Sequence, residues 1–132
     1  MKSTVVGSFP AEESFPSNFK DKLLNSLGSY DSFKESIKSS VIAQLDAGVD
    51  IISDGQGRGD MVSIFTNYIP GMKIEDGNTF IVSKIRSPTQ EISIKDLQYA
   101  KNVIKEYFGG NIPEGKGIKG ISRIFFARSA FA

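Results

Sequence analysis

Residues 32–60, SFKESIKSSVIAQLDAGVDIISDGQGRGD, contain the clearest structural pattern in the chain. Ser32 and Glu35 have the S-x-x-E spacing of a capping box, in which two side chains satisfy free backbone amides at the start of a helix. An apolar residue then recurs at every fourth position, which is the period of one helix face: Phe33, Ile37, Val41 and Leu45. Gly48 favours a helix end, since glycine adopts the left-handed backbone found there. The pattern predicts an amphipathic helix.

A short strand and a glycine-rich loop follow this helix. Residues 50–53 form a brief apolar run, and residues 54–59 contain three glycines among polar side chains. A helical period resumes over residues 61–68 and ends at a Pro-Gly pair. The order of helix, glycine, short strand and polar loop is typical of parallel βα architecture. The sequence therefore predicts an α/β fold.

Two further elements precede this region. Residues 3–6 are a β-branched run that ends at GSFP, residues 7–10, and they predict a buried strand that stops in a tight loop. Residues 16–27 place apolar side chains four positions apart and are followed by Gly28. They predict a short helix with Gly28 just beyond its end.

The C-terminal half predicts a hairpin, a helix and a strand. Residues 73–82 alternate on either side of an Asp-Gly pair, the strongest short hairpin signal. Residues 94–108 carry a helical period that a glycine pair ends, with Ser93 and Asp96 as a second capping pair. Residues 117–121 fit a third parallel strand.

The chain divides into one domain and a tail. Residues 1–121 carry all of these elements, and about 100–200 residues is the usual size of one domain. Residues 122–132, SRIFFARSAFA, contain three Phe and two Arg without a helical or strand period. We expect this segment to be an amphipathic tail that docks on the domain or on a partner.

The composition excludes several classes of function. The chain has 132 residues, with 16 basic and 15 acidic side chains, and it contains neither cysteine nor histidine. The net charge of +1 disfavours nucleic-acid binding. Without Cys the chain can form no disulfide and has no nucleophilic thiol. Without His it lacks the commonest zinc ligand. No apolar run approaches 18 residues, so we expect a cytoplasmic protein without a membrane span.

The polar loops leave their function open when they are taken alone. A dinucleotide-binding loop requires a third glycine at residue 60, where Asp60 stands, so we interpret residues 54–60 as a tight loop with Asp60 as the N-cap of the next helix. Ser8 belongs either to an ordinary turn or to a loop that holds a small carboxylate. The charged residues interpreted as solvated are Glu12, Glu13, Glu75, Asp76, Lys101, Lys105, Lys116 and Lys119.

Two segments, taken in order, resemble a known enzyme family. They are TVVGSFP at residues 4–10 and QLDAGVDIISDGQ at residues 44–56, the second leading to RGDMV at residues 58–62. Together they resemble the catalytic barrel of cobalamin-independent methionine synthase, and most closely its short, single-barrel archaeal branch. The likeness runs over residues 3–121, so the chain resembles the N-terminal part of that barrel.

The resemblance implies a fold and an activity. The fold is a partial TIM (β/α)8 barrel, with about the first three βα units and an inserted β-hairpin, because a whole barrel takes about 250 residues. The activity is that of a methyltransferase of methionine biosynthesis, which passes a methyl group to the sulfur of homocysteine. The expected methyl donor is a methylated corrinoid protein in the short branch, or otherwise a folate.

The resemblance also assigns residues, none of them catalytic. The family's loop at Val6, Gly7 and Ser8 holds the backbone end of the amino-acid substrate, homocysteine or methionine. Gln56 stands where the family commonly has a Glu that contacts the amino group, and a bond to a neutral amide is roughly half as strong as a charge-assisted one. The residues assigned to loop support are Asp54, Arg58 and Asp60.

Zinc marks the main departure from the family. The intact family uses zinc to hold the homocysteine sulfur as thiolate, and such sites are built from Cys, His and Glu. We therefore predict that this chain binds no zinc and does not complete the reaction alone. Residues 122–132 depart from the family's pattern, which predicts a truncation or reading-frame change near residue 121.

An open partial barrel exposes apolar surface, so we also predict a homodimer or other self-association. The alternative hypothesis for function is a non-catalytic α/β module that binds a small molecule or associates with itself.

Overall fold

The computed structural model describes residues 1–10, 12–58 and 61–119. Helices and strands are mixed along the chain. The elements are α1 (Phe19–Ser26), α2 (Lys34–Asp46), β1 (Ile51–Ser53), α3 (Met61–Thr66), β2 (Met72–Glu75), β3 (Asn78–Ile81), α4 (Ile94–Tyr107) and β4 (Gly117–Lys119). This mixed order confirms the predicted α/β class.

A parallel strand pair lies at the centre of the described residues. β1 pairs with β4 so that Ile52 lies opposite Ile118. On the other side of β1, Thr4 forms a single parallel bridge with Ile51. The third parallel strand, predicted at residues 117–121, is thus confirmed as far as Lys119. Of the strand predicted at residues 3–6, the structure has only the bridge at Thr4.

The core lies between α2, α4 and β1. Helix α2 buries the face that its period of four predicted, with Ile37, Val41 and Leu45 each less than 7% exposed. The rest of the buried cluster is formed by Ile52, Ala100, Val103 and Ile104. Burial of this apolar surface is the main favourable contribution to folding. It holds the two helices against the parallel pair.

The predicted hairpin is confirmed, with strand bounds that differ by a residue. β2 and β3 pair antiparallel, with Glu75 opposite Asn78 across the turn. The turn residues Asp76 and Gly77 have φ values of 49° and 75°. Two successive positive φ values are the mark of a type I′ turn, which matches the twist of the flanking strands.

Both predicted capping pairs are wrong. α2 begins after Phe33, and no side-chain bond caps it. The Ser32 carbonyl is held by Ser14 instead, and Asp31 accepts the Phe33 amide at 3.1 Å. At α4, Ser93 is left-handed with φ 63° and makes no capping bond. At α2 the neighbouring Asp31 accepts a backbone amide in place of Ser32, and at α4 the Asp96 side chain binds the distant Arg58 rather than a backbone amide.

Helix α1 is shorter than predicted and its apolar stripe is exposed. It begins after Asn18, whose side chain accepts the Asp21 amide at 2.8 Å, rather than at residue 16. Phe19, Leu23 and Leu27 are 84%, 52% and 69% exposed. The stripe therefore predicts the helix correctly while contributing nothing to the described core.

Some predictions lie outside the described residues. These are the N-cap role of Asp60, the boundary at residues 121 and 122, and the tail at residues 122–132. Of the helices in residues 1–10, 12–58 and 61–119, none combines the length and the apolar character that a membrane crossing requires.

Candidate functional site

Two loops meet at the carboxyl edge of the parallel pair. The N-terminal loop, residues 6–9, follows the Thr4 bridge, and the glycine loop, residues 54–58, follows β1. The Phe9 amide donates to the Gly55 carbonyl at 2.9 Å, which joins the two loops. Ligands of α/β proteins commonly bind at this edge of the sheet. The structure thus brings together the loops that contain Val6, Gly7, Ser8 and Gln56.

Two lysines, Lys116 and Lys119, donate hydrogen bonds to backbone carbonyls close to these loops. At the end of β4, Lys119 Nζ donates to the Val5 carbonyl at 2.7 Å. Lys116 Nζ donates to the Val49 carbonyl at 2.8 Å and lies 3.8 Å from Asp50. The interpretation of these two lysines as solvated charges is therefore wrong, because their side chains reach the carbonyl of Val49, just before β1, and that of Val5, just after the Thr4 bridge. The other residues interpreted as solvated are exposed: Glu12, Glu13, Glu75, Asp76, Lys101 and Lys105.

Two glycines let the glycine loop lie directly on α2. A Cβ on Gly55 would stand 2.6 Å from Ser40 Cβ, and its φ is +70°. A Cβ on Gly57 would stand 2.8 Å from Ile37 Cγ1. No larger side chain fits at either position without movement of the helix or the loop. Between them, Gln56 is also left-handed, with φ 52°.

Buried polar side chains of α2 hold the start of the glycine loop. Gln44 Nε2 donates to the Ser53 carbonyl at 3.0 Å, and Gln44 Oε1 accepts the Ser53 amide at 2.9 Å. Ser40 Oγ donates to the Asp54 carbonyl at 3.1 Å. Sequence reasoning missed both residues. The sequence did contain a pattern that indicates them. Ser40 and Gln44 lie four positions apart beside the apolar stripe, which places both on the buried side of the helix.

Arg58 lies at the centre of an ion cluster, named here the Arg58 cluster, with Asp31 and Asp96. It binds Asp96 through Nε at 2.7 Å and Nη2 at 2.8 Å, and Asp31 through Nη1 at 3.0 Å and Nη2. Asp31 precedes α2 and Asp96 lies in the first turn of α4. Sequence reasoning missed both partners, which are 27 and 38 residues from Arg58. No local pattern signals them.

The electrostatics of the site follow from burial and from these bonds. Burial raises the pKa of Asp54, which is 7% exposed. Burial also acts to raise the pKa of Asp31, but its hydrogen bond to Arg58 and the charge of Arg58 outweigh that effect and lower it. Hydrogen bonds to Asp96 and then to Asp31 raise the pKa of Arg58. Arg58 and Asp31 are therefore charged at neutral pH.

Open space adjoins the cluster on one side. A cleft of about 440 Å³ is bounded by Arg58, Tyr68, Ser93 and other residues of α3 and the α4 start. A space of about 10 Å³, enough for one water-sized group, is bounded by Asp54, Gln56 and Asp96 among others.

The N-terminal loop faces solvent. Val6 is 93% exposed, and Gly7 has φ 102°. Within the described residues, none of the hydrogen bonds uses the amides of Gly7 and Ser8. These two donors are thus available to a carboxylate.

The chain does not fit a thiolate-activating zinc site. It contains no Cys and no His, and residues 1–10, 12–58 and 61–119 contain no group of three Asp or Glu side chains placed to hold a metal ion. Carboxylates alone are not the donor set of such sites.

The chain matches the family model described as cobalamin-independent synthase, catalytic domain, over residues 1–122. It belongs to this family. Similar proteins include the methionine synthase of Methanothermobacter thermautotrophicus, 48% identical over 121 residues, and that of Methanothermobacter marburgensis, 42% identical over 121 residues. Both alignments cover 92% of this chain and 38% of the relative.

Two further relatives extend the family relation. The methionine synthase of Methanocaldococcus jannaschii is 43% identical over 106 residues, which are 80% of this chain and 32% of the relative. The 5-methyltetrahydropteroyltriglutamate–homocysteine methyltransferase of Buchnera aphidicola is 32% identical over 75 residues, which are 54% of this chain and 10% of the relative. The resemblance to the methionine synthase family is thereby confirmed. The chain spans less than two fifths of the curated relatives that it matches.

Proposed function

We propose that this chain forms the part of a methionine synthase-type methyltransferase that holds the amino-acid end of homocysteine. The observation that carries the proposal is the junction of the N-terminal loop and the glycine loop at the carboxyl edge of the parallel pair. Family membership supplies the reaction class, and the relatives named methionine synthase supply the substrate class. In a whole enzyme, these elements would be the first βα units of a (β/α)8 barrel.

The two loops suit the two charged ends of an amino acid. The Gly7 and Ser8 amides offer donors to the carboxylate, and Gln56 Oε1 offers an acceptor to the ammonium. In the reaction, the homocysteine sulfur loses its proton and takes a methyl group from the donor, a methylated corrinoid protein or a folate. The role of this chain is to bind and orient the amino acid. Groups outside this chain activate the sulfur.

Calorimetric titration with L-methionine and with L-homocysteine tests the proposal. We expect binding by the purified chain, weaker binding after Gln56→Ala, and unchanged binding after Gln98→Ala, a matched change on the exposed face of α4. Gln56→Glu restores a charged acceptor and should tighten binding at neutral pH. An affinity that Gln56→Ala leaves unchanged would place the ligand elsewhere.

A second candidate function is a self-associating module without catalysis. The exposed apolar face of α1, Phe19, Leu23 and Leu27, favours it, because large apolar patches usually mark interaction sites. Self-association in sedimentation velocity together with no heat of methionine binding would support this candidate over the first.

A further inference from the structure

The guanidinium of Arg58 has almost no capacity left for a ligand. Four of its five N–H groups are directed at the carboxylates of Asp31 and Asp96. Each carboxylate is held by two bonds, the arrangement with the strongest geometric preference for arginine. An arginine in a ligand-binding loop is the usual receptor for a substrate carboxylate. Arg58 does not serve as such a receptor here, because its N–H donors are already bonded to Asp31 and Asp96.

The same bonds join three segments that are distant in sequence. Arg58 lies at the described end of the glycine loop, Asp31 precedes α2, and Asp96 belongs to the first turn of α4. The Asp96 side chain is 11% exposed, against about a third for the other two members. Charge-assisted bonds in such a half-buried site are stronger than those of a surface ion pair. The cluster therefore connects the loop to both core helices.

The residues on both sides of Gln56 in the glycine loop are held by contacts with the rest of the protein. Before it, the Asp54 carbonyl is bonded to Ser40 and the Asp54 side chain accepts the Gln56 amide at 3.2 Å. After it, Gly57 lies against Ile37 and Arg58 is held by its two carboxylates. Gln56 itself has φ 52°, which a non-glycine residue rarely adopts and keeps only where its surroundings enforce it.

We propose that Arg58 is a positioning residue for Gln56: by binding Asp31 and Asp96 it holds the glycine loop in the conformation that presents Gln56 to the amino end of the substrate. This inference rests on the proposed function for its ligand, and on the geometry of the loop for its mechanism. Arg58 acts through the loop and does not contact the substrate.

The first measurement needs no ligand. Arg58→Lys keeps the positive charge but cannot make two pairs of bonds, and Asp96→Asn removes one charged acceptor of the cluster. We expect both variants to shift the amide NMR signals of Gln56 and Gly57 and to speed their hydrogen exchange about tenfold. The amides of the β2–β3 hairpin should not change. Arg86→Lys is the matched control, because it is the same substitution at an exposed arginine that lies outside the cluster.

The second measurement uses L-methionine as the probe. We expect Arg58→Lys to raise the dissociation constant about tenfold and Arg86→Lys to leave it unchanged. If the loop amides of Arg58→Lys match those of the unsubstituted chain, the positioning role is rejected. It is also rejected if the loop amides shift while the methionine affinity of a binding-competent chain stays constant. A chain that binds no methionine rejects the proposed function alone, and the amide measurements then decide whether Arg58 holds the loop.

Discussion

Gln44 is the residue that ties helix α2 to strand β1. It is 1% exposed, and its amide group satisfies both the amide and the carbonyl of Ser53, which is itself fully buried. Within the described residues, no buried side-chain nitrogen or oxygen lacks a partner. A buried group left without its bond costs more than the bond is worth, so this site is sensitive to substitution.

We predict that Gln44→Ala lowers the free energy of unfolding by about 2–6 kcal/mol, because two buried backbone groups lose their partners at about 1–3 kcal/mol each. Urea unfolding measures the change. Gln98→Ala, on the exposed side of α4, is the control and should change stability by less than about 0.5 kcal/mol. Equal midpoints for the two variants would contradict the importance of these bonds.

Asp54 makes stability depend on pH in a defined direction. Its pKa in the folded chain lies above the ordinary value of 3.8 because of burial. As pH rises above 3.8, the unfolded chain loses this proton before the folded chain does, so stability falls through that window. At neutral pH the charged form of Asp54 therefore opposes folding.

We predict that Asp54→Asn is more stable than the unsubstituted chain at pH 7 and that the gain shrinks toward pH 4. Asparagine keeps the oxygen that accepts the Gln56 amide and carries no charge. Urea midpoints at the two pH values test this, with Glu114→Gln as the control for loss of an exposed carboxylate. A gain that is larger at pH 4 than at pH 7 would reverse the sign and reject the argument.

At the scale of the elements, the hairpin depends on the backbone of its turn. Gly77 has φ 75° and open space around the position of a Cβ, so a substitution there strains the backbone without a collision. Gly117 in β4 is the opposite case: its φ is ordinary, and a Cβ would meet nothing closer than Ile51 Cγ1 at 3.9 Å.

We predict that Gly77→Ala destabilises the β2–β3 hairpin by about 1 kcal/mol, since a left-handed alanine costs about 1–2 kcal/mol. Gly117→Ala, the matched control, should be neutral or slightly stabilising because it restricts the unfolded chain. Amide exchange of Thr79 and Phe80 in the two variants measures the effect within the hairpin. Faster exchange in Gly117→Ala than in Gly77→Ala would contradict it.

At the scale of the whole molecule, apolar surface is distributed unevenly. Among residues 1–10, 12–58 and 61–119 the core lies between α2, α4 and β1, whereas the apolar stripe of α1 faces solvent, as do Phe80, Ile81 and Val82 in and beside β3. Exposed apolar surface of this kind favours association.

We predict concentration-dependent self-association of the purified chain in sedimentation velocity. Phe19→Ser should weaken it, because Phe19 is 84% exposed and is the most exposed member of the α1 stripe. Lys20→Ser, the neighbouring substitution in the same helix, should not. A monomer at all concentrations would reject self-association.

The sequence predicted the elements far better than their connections. The stripe of α2, the Asp-Gly turn of the hairpin and the strand after Gly48 are local patterns, and all three are present. Both capping pairs failed: at α2 the Phe33 amide is bonded to Asp31, and at α4 the Asp96 side chain binds Arg58. The loops that contain Ser8 and Gln56 were assigned by resemblance, and Asp31, which binds Arg58 of the glycine loop, was not found at all.

The sequence by itself determined which segments are helices, strands and turns, because their bonds join residues only a few positions apart and their apolar periods repeat within a dozen residues. Only the tertiary structure decided that Phe9 meets Gly55, that Gln44 satisfies Ser53, and that Arg58 is divided between Asp31 and Asp96. The physical reason is that these contacts form only when the packed core brings distant segments within hydrogen-bonding distance.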